Sequence, residues 1–161
     1  MADAAVVDAS PLIYLTEVGR LELLRLAGDA ILVPEAVAEE VRRWGDEDPA
    51  ARALATTEWL RIVPSPVVPA SIHTWDLGPG EAAVLTWAME NRGTTAIIDD
   101  MAARRCAAAH RISVRGTLGL VLTAKQRGQI PAARPVLEAM RRAGMYLSDT
   151  VMSRALAEVG E

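Results

Sequence analysis

The sequence contains few of the residues on which several common classes of protein depend. Cys106 is the only cysteine among 161 residues, which excludes an internal disulfide framework. With only His73 and His110 beside it, the chain is poorly equipped for a His/Cys zinc site. No apolar run approaches the roughly 18 residues that a membrane-spanning helix needs. Met1 to Ala5 contain no basic segment followed by an apolar stretch, so we expect no signal peptide and a cytoplasmic protein.

The rest of the composition is that of an ordinary globular chain. Hydrophobic residues make up 51% and charged residues 24% of the sequence, which excludes disorder of the whole chain. A length of 161 residues is enough to bury a core of its own. The sequence contains no repeat, no low-complexity tract and no linker long enough to divide it. It therefore predicts a single domain over residues 1–161.

The charges are unevenly distributed, although the net charge is only −4. Residues 1–100 carry 7 basic and 17 acidic side chains, whereas residues 101–161 carry 10 and 4. An acidic site beside a basic docking surface would give this pattern. Almost all the basic residues are arginine, which suits phosphate contacts, although coding bias explains the same preference. The basic residues that closely follow the late acidic pair of the chain are Arg104, Arg105, Arg111 and Arg115.

Short apolar runs alternate with helical patterns along the chain. This alternation predicts an α/β fold in which helices flank a central parallel sheet. The proline-rich stretch and the residues after it, up to the next helix, are expected to form a loop. The strands are expected at 4–7, 30–33, 59–63, 95–98 and 112–114, and the helices at 11–18, 20–26, 34–44, 49–58, 81–92, 101–110, 116–127, 131–143 and 148–159.

Aspartates directly follow two of the predicted strands. Asp8 comes after the first strand, and Asp99 and Asp100 come after the fourth. Ligands of open α/β sheets collect beyond the carboxyl ends of the strands. If the two strands are neighbours, these carboxylates converge on one site. Aspartate also ends strands and caps helices for purely structural reasons, and both interpretations stay open.

Glu40 is in phase with an apolar helix face. In the helix that follows Pro34, Val37, Val41 and Trp44 mark an apolar stripe, and Glu40 falls within it. An acid on a core-facing stripe has to be paired, protonated or bound to a cation. It can also extend past the edge of the stripe or pair with a neighbouring arginine. The helix at 81–92 repeats the pattern.

Glu81 is in phase with the buried face of that second helix, which Val84, Leu85 and Ala88 define. Its place in the first turn also suits the helix dipole, so a structural role is open as well. Clustered carboxylates repel one another unless a cation neutralises them, and an oxygen-only ligand set selects Mg²⁺ or Mn²⁺. Two such ions can activate a water and stabilise the leaving oxygen during phosphodiester cleavage. The candidate ligands are Asp8, Glu40, Glu81, Asp99 and Asp100.

The chain resembles the PIN-domain family of metal-dependent ribonucleases, which includes the VapC-like toxins of toxin–antitoxin modules. The segments VVDASPLIYL and VPEAVAEEV match its first two acidic motifs. The segments LGPGEAAVLTWAME and IIDDMAARRCAAAHRISVRGTLGLVLTAKQRGQI are most similar to a subgroup of uncharacterised prokaryotic PIN proteins. Together these segments extend the resemblance from Val6 to about Leu156.

The resemblance implies an α/β/α sandwich and Mg²⁺- or Mn²⁺-dependent cleavage of RNA. It makes Asp8 the central metal ligand and places Glu40, Glu81 and Asp99 at the other acidic positions, with Ser10 orienting a carboxylate or a water. It further implies a toxin of a type II module with a cognate antitoxin, and a homodimer.

The chain departs from the commoner toxin pattern in two places. Glu81 stands where an aspartate is usual, and the fourth motif is Ile-Asp-Asp rather than Thr-x-Asp. Whether Asp99 or Asp100 contacts the metal is therefore open, because Asp100 could instead cap a helix or pair with Arg104. A PIN scaffold that binds RNA or protein as a regulatory module, with little or no turnover, is the alternative function.

Overall fold

Five parallel strands form one central sheet in the computed structural model, which describes residues 3–161. The strands lie in the order β3-β2-β1-β4-β5 and are flanked by helices, so the predicted α/β architecture is confirmed. Residues 1 and 2 lie outside the described residues. They are part of the predicted domain and of the N-terminal segment in which no signal peptide is expected. The strands are β1 (Ala4–Val7), β2 (Ala30–Pro34), β3 (Leu60–Val63), β4 (Thr95–Ile97) and β5 (Val114–Arg115).

The predicted helices are present with ends that differ by a few residues. The second of them is a short 3-10 helix at Leu21–Leu26. None of the helices between residues 3 and 161 has the length and hydrophobicity to cross a lipid bilayer. The α-helices are α1 (Ala9–Glu17), α2 (Glu35–Arg42), α3 (Pro49–Thr56), α4 (Ala70–His73), α5 (Pro79–Glu90), α6 (Met101–Ala109), α7 (Thr117–Gln126), α8 (Arg134–Arg142) and α9 (Asp149–Glu158).

The helix α4 corrects the prediction of a loop after the prolines. Pro69 adopts an extended conformation, and its carbonyl accepts hydrogen bonds from the amides of Ile72 and His73 at 3.1 and 2.9 Å. Proline at this boundary leaves no amide of its own to satisfy, so a short helical turn can begin directly after it. His73 is therefore the last residue of a helix rather than a loop residue.

Strand β1 lies in the middle of the sheet and sets the position of its neighbours. Val6 pairs with Leu32 of β2 on one side and with Ala96 of β4 on the other. The chain therefore leaves β1 in one direction and returns on its other side, which creates a crevice at the carboxyl ends of β1 and β4. The side chains of Ala5, Val6 and Val7 are fully buried, as expected for a central parallel strand.

One of the predicted apolar stripes ends earlier than expected. Val37 and Val41 of α2 are fully buried, but Trp44 is 71% exposed. The helix ends at Arg42, so the helical phase that places Val37 and Val41 in the core no longer applies two residues later. The prediction that Trp44 belongs to the core-facing stripe is therefore wrong.

A close approach of backbone to backbone fixes the start of the sheet. A Cβ atom at Gly28 would lie 3.0 Å from the carbonyl carbon of Ala4 and 3.0 Å from the amide nitrogen of Ala5. Both atoms belong to β1, which is buried and cannot shift without disturbing the strands on either side. By contrast, a Cβ atom at Gly119 in α7 would meet nothing within 4 Å.

These two glycines give a matched pair of substitutions. We expect Gly28→Ala to lower the free energy of unfolding by about 1–3 kcal/mol, because β1 has to move to admit the methyl group. We expect Gly119→Ala to raise it by about 0.5–1 kcal/mol, because alanine favours the helix and has room there. Urea denaturation of both variants measures the difference, and equal effects at the two positions would contradict the close approach at Gly28.

Candidate active site

A cavity of about 140 Å³ opens at the carboxyl end of β1. It brings together three of the five predicted acids, one from the end of β1, one from α2 and one from the first turn of α5. The predicted Ser10 also lines it. The structure therefore places Asp8, Glu40, Glu81 and Ser10 around one space, with Arg43 and Gly80 completing much of the wall.

Asp8 is the buried centre of this group. Its backbone amide donates a hydrogen bond to the carbonyl of Ile97 at 3.1 Å, which ties the ends of β1 and β4 together. The residue precedes α1 in an extended conformation, but its side chain does not cap that helix, so the carboxylate remains available to the cavity. With a residue exposure of only 5%, Asp8 is almost completely removed from solvent.

The surroundings of Asp8 disfavour its charge. The pKa of Asp8 is raised from 3.8 to about 7, chiefly by burial; the amide of Ala9 lowers it, and the nearby carboxylates of Glu81, Glu40 and Asp99 add to the rise. Desolvation and like charges act in the same direction here. The charges of three other predicted acids therefore contribute to the raised pKa of Asp8.

Gly80 allows α5 to approach the acids. A Cβ atom at this position would lie 3.0 Å from Oε2 of Glu40 and 3.3 Å from Oδ1 of Asp8. Both carboxylate oxygens therefore converge on the space that a side chain at Gly80 would fill. The sequence prediction did not single out Gly80. The available signal was a glycine inside the first turn of a helix, where alanine would be more stable.

Glu40 reaches the cavity from an exposed position. Its side chain is not buried within the core-facing stripe, which corrects that part of the prediction. The neighbouring Arg42 pairs with Glu35 at 2.9 Å, and Glu40 forms no ion pair within residues 3–161. Glu40 lines the cavity, whereas the adjacent Glu39 does not.

Glu81 combines a structural contact with a place in the cavity. Its Oε2 accepts a hydrogen bond from the amide of Gly78 at 3.3 Å, which caps the start of α5. Burial raises the pKa of Glu81, and the charges of Asp100 and Glu40 raise it too, whereas the Gly78 amide lowers it. The structural and the functional interpretation of Glu81 are therefore compatible.

Asp99 and Asp100 each hold the start of a helix. The carboxylate of Asp99 accepts hydrogen bonds from the amide and the hydroxyl of Thr117 at 2.7 and 2.6 Å. Asp100 accepts one from the amide of Ala103 at 2.9 Å, which caps α6. Asp99 acts electrostatically on Asp8, and Asp100 acts on Glu81. Both aspartates therefore stay candidates.

Thr117 is a site-supporting residue that the sequence prediction missed. It is fully buried and lies 18 positions after the aspartate that it holds. No local pattern connects two residues so far apart in the sequence. Only the pairing of β4 with β5, which brings Ile97 opposite Arg115, makes them neighbours.

The donor chemistry of the site fits a hard divalent cation. The available groups are carboxylates and the Ser10 hydroxyl, which are the oxygen donors that Mg²⁺ and Mn²⁺ prefer. Within residues 3–161, no group of three or more histidine, cysteine, aspartate or glutamate side chains is already arranged to coordinate a metal ion. Burial, and to a lesser degree the neighbouring carboxylates, disfavour the charged form of Asp8, and a bound cation would favour that charged form.

The arginines near the site differ in what they contact. Arg43 lines the cavity, is exposed and forms no ion pair within the described part of the chain, so it does not pair with Glu40. Arg104 does not pair with Asp100; its Nη1 donates to the carbonyl of Ile98 at 3.4 Å. Arg115 donates to the hydroxyl of Thr123 at 2.9 Å. Arg105 and Arg111 are exposed.

Comparison with known families gives one match. A family model described as a PIN domain matches residues 4–161, which is almost the whole chain. No curated protein sequence matches the chain at a significant level.

The raised pKa of Asp8 predicts how stability depends on pH. In the native state the pKa is about 7 and its ordinary value is 3.8, so between these pH values the native state retains a proton that the unfolded state has lost. In the presence of EDTA, stability should therefore fall as the pH rises from about 4 to 7, by roughly 4 kcal/mol at about 1.4 kcal/mol per pKa unit. Asp8→Asn should remove this slope and exceed wild type in stability at pH 8.

Urea denaturation at a series of pH values measures both quantities. Glu39→Gln is the control, because Glu39 lies outside the cavity and should leave the slope as it is. A slope that persists in Asp8→Asn would assign the pH dependence to another group.

Proposed function

The chain belongs to the PIN-domain family, and on this premise we propose that it is a metal-dependent endoribonuclease that hydrolyses phosphodiester bonds of RNA. PIN domains are generally nucleases that act on nucleic acids and typically use divalent metal ions. The observation that carries the proposal is the convergence of Asp8, Glu40 and Glu81 on one cavity at the carboxyl end of the central strand. We further propose that residues 1–161 act as one domain.

In the proposed mechanism, Asp8, Glu40 and Glu81 would hold Mg²⁺ or Mn²⁺, together with Asp99 or Asp100. When bound, the metal would supply Lewis-acid activation of a water and charge stabilisation at the leaving oxygen. Asp8 is positioned for this by its burial and by the strand pairing that fixes its backbone.

Ser10 and Arg43 have proposed roles toward the substrate. Both line the cavity with the acids. The Ser10 hydroxyl would orient a carboxylate or the water that attacks phosphorus. Arg43 would hold a non-bridging phosphate oxygen, because a guanidinium forms paired hydrogen bonds with phosphate. A positive group is needed on a rim that the acids otherwise make negative.

The biological setting that we propose is that of a type II toxin with a cognate antitoxin, acting as a homodimer in the cytoplasm. These parts of the proposal rest on the resemblance to the toxin members of the family. The basic second half of the chain offers a surface for an acidic partner or for RNA, since Arg105 and Arg111 are both exposed there.

A regulatory binding module with little turnover is the second candidate. It is favoured by the structural contacts of the acids: both oxygens of Asp99 bind Thr117, and Asp100 and Glu81 each cap a helix. Acids that serve only to hold helix starts would need no metal. Metal-dependent cleavage of RNA separates the two functions, because only the nuclease would show it.

The first expected outcome concerns the metal. RNA should be cleaved with Mg²⁺ or Mn²⁺ and not in excess EDTA. Asp8→Asn and Asp99→Asn should each reduce the rate by roughly 100-fold or more while remaining folded, because residues that hold one metal act as a unit. Gel analysis of cleavage of a long single-stranded RNA, with circular dichroism as the folding check, measures this. Robust cleavage in EDTA would remove the metal mechanism, and no cleavage under any condition would favour the binding module.

The second expected outcome uses adjacent glutamates of one helix. Glu40→Gln should lower kcat/KM by at least about 10-fold, because the residue lines the cavity and is proposed to bind metal, whereas Glu39→Gln should be near neutral. Both side chains are exposed, so neither substitution should affect folding. In a Mg²⁺ titration of the cleavage rate, Glu40→Gln should need more Mg²⁺ for half-maximal cleavage than wild type or Glu39→Gln. Equal behaviour of the two variants would refute the assignment of Glu40.

A further inference from the structure

A second cavity adjoins the candidate active site. It has a volume of about 380 Å³, and Ser10 lines both cavities. Its apolar wall includes Ile13, Tyr14 and Trp44, and its polar wall includes Glu17 and Asp48. A molecule held in the first cavity could therefore extend into the second without leaving the protein surface.

Trp44 provides a flat apolar surface in this second cavity. Its residue exposure of 71% leaves the indole largely in contact with solvent. The ring takes no part in the cation–π contact of the described residues, which joins Arg25 to Trp59. An indole face stacks well on a nucleobase, and stacking of this kind tolerates any base.

The carboxylates of the second cavity restrict what can enter it. Asp48 accepts hydrogen bonds from the amides of Ala50 and Ala51 with Oδ2, and its Oδ1 takes no part in this capping of α3. Glu17 is exposed and forms no ion pair within residues 3–161. Two carboxylates repel phosphate but accept hydrogen bonds from amino groups, such as N4 of cytosine or N6 of adenine.

The order of residues along the chain matches the repeating unit of a nucleic acid. Arg43 lines the cavity of the acids and its neighbour Trp44 lines the second cavity. A nucleotide likewise joins a charged phosphate to a planar base. An arginine-bearing peptide would also suit an indole beside two acids. A peptide ligand, however, would not explain why the second cavity shares Ser10 with the proposed catalytic cavity.

We propose that this second cavity binds a nucleobase with an exocyclic amino group, stacked on Trp44, from a nucleotide next to the scissile phosphate. The inference rests on the proposed ribonuclease function and deepens it by naming a base-binding subsite. It implies that cytosine, adenine or guanine is preferred to uracil at that position, because uracil has no amino group to donate to Glu17 or Asp48.

Binding measurements with a cleavage-deficient protein test the subsite separately from catalysis. The probes are fluorescein-labelled decamers of cytidine, adenosine and uridine, and the protein is the full chain carrying Asp8→Asn, with Mg²⁺ present. Anisotropy should give tighter binding of the cytidine and adenosine decamers than of the uridine decamer. Adding Trp44→Ala should weaken the binding of the first two by roughly 10-fold and remove most of the difference. Trp44→Phe should retain most of the affinity.

Matched controls make the result specific to this cavity. Trp75→Ala removes another exposed indole, which does not line either cavity, and should leave all three affinities unchanged. Quenching of intrinsic tryptophan fluorescence by the unlabelled cytidine decamer should be smaller in Trp44→Phe than in the Trp75→Phe control. Circular dichroism checks that each variant is folded.

The opposite results overturn the inference. Unchanged RNA affinity in Trp44→Ala, or equal binding of all three decamers by the parent protein, would show that no amino-selective base site exists. If Trp44→Ala lost affinity for an arginine-rich decapeptide while its affinity for RNA stayed the same, the cavity would be assigned to a protein partner and the proposal would be rejected. Failure of wild-type protein to cleave RNA would count against the proposed function. It would not affect the test of the subsite, because the anisotropy assay measures RNA binding independently of cleavage.

Discussion

The hydrogen bond from the amide of Asp8 to the carbonyl of Ile97 joins the ends of the two strands on which the candidate site is built. It continues the parallel register of β1 and β4 by one residue, so Asp8 lies beside the strand that Asp99 and Asp100 follow. Because β1 is the middle strand, β2 leads α2 to the same edge of the sheet from the other side. A shift of this register would move Asp8 relative to Asp99 and Asp100.

The sequence could predict those parts of the site that depend on local pattern. The ends of apolar runs drew attention to Asp8, Asp99 and Asp100, and helical phase drew attention to Glu40. Helical phase wrongly predicted that Trp44 is buried, because the periodicity of apolar residues does not show where a helix ends. A residue two positions beyond the end of α2 follows the loop and not the stripe.

The parts that the sequence could not predict depend on contacts between distant segments. Thr117 holds Asp99 only because β5 lies next to β4, and Gly80 is needed only because α5 packs closely over Glu40 and Asp8. Arg43, directly after the last residue of α2, lines the cavity. No feature of the residues themselves distinguishes Arg43 from Arg42, which pairs with Glu35 on the surface.

Helix starts surround the acids, yet they do not neutralise them. The helices α1, α5, α6 and α7 all begin within a residue or two of a proposed site residue or its partner. Each helix N-terminus favours a nearby carboxylate by about 0.3–1 kcal/mol. The capping contacts of Glu81, Asp99 and Asp100 draw on this effect.

Asp8 receives less of that support, because its side chain does not cap α1 and its strongest influence is burial. The rise of its pKa to about 7 corresponds to roughly 4 kcal/mol against the charged form, which exceeds what one helix start can offset. Hydrogen bonds at the starts of α5, α6 and α7 therefore favour the charged forms of Glu81, Asp99 and Asp100, whereas burial disfavours the charged forms of both Asp8 and Glu81. Capping of helix starts accounts for the positions of Glu81, Asp99 and Asp100 but not for that of Asp8, whose side chain does not cap α1, and the proposed cation site would give the buried Asp8 carboxyl a role.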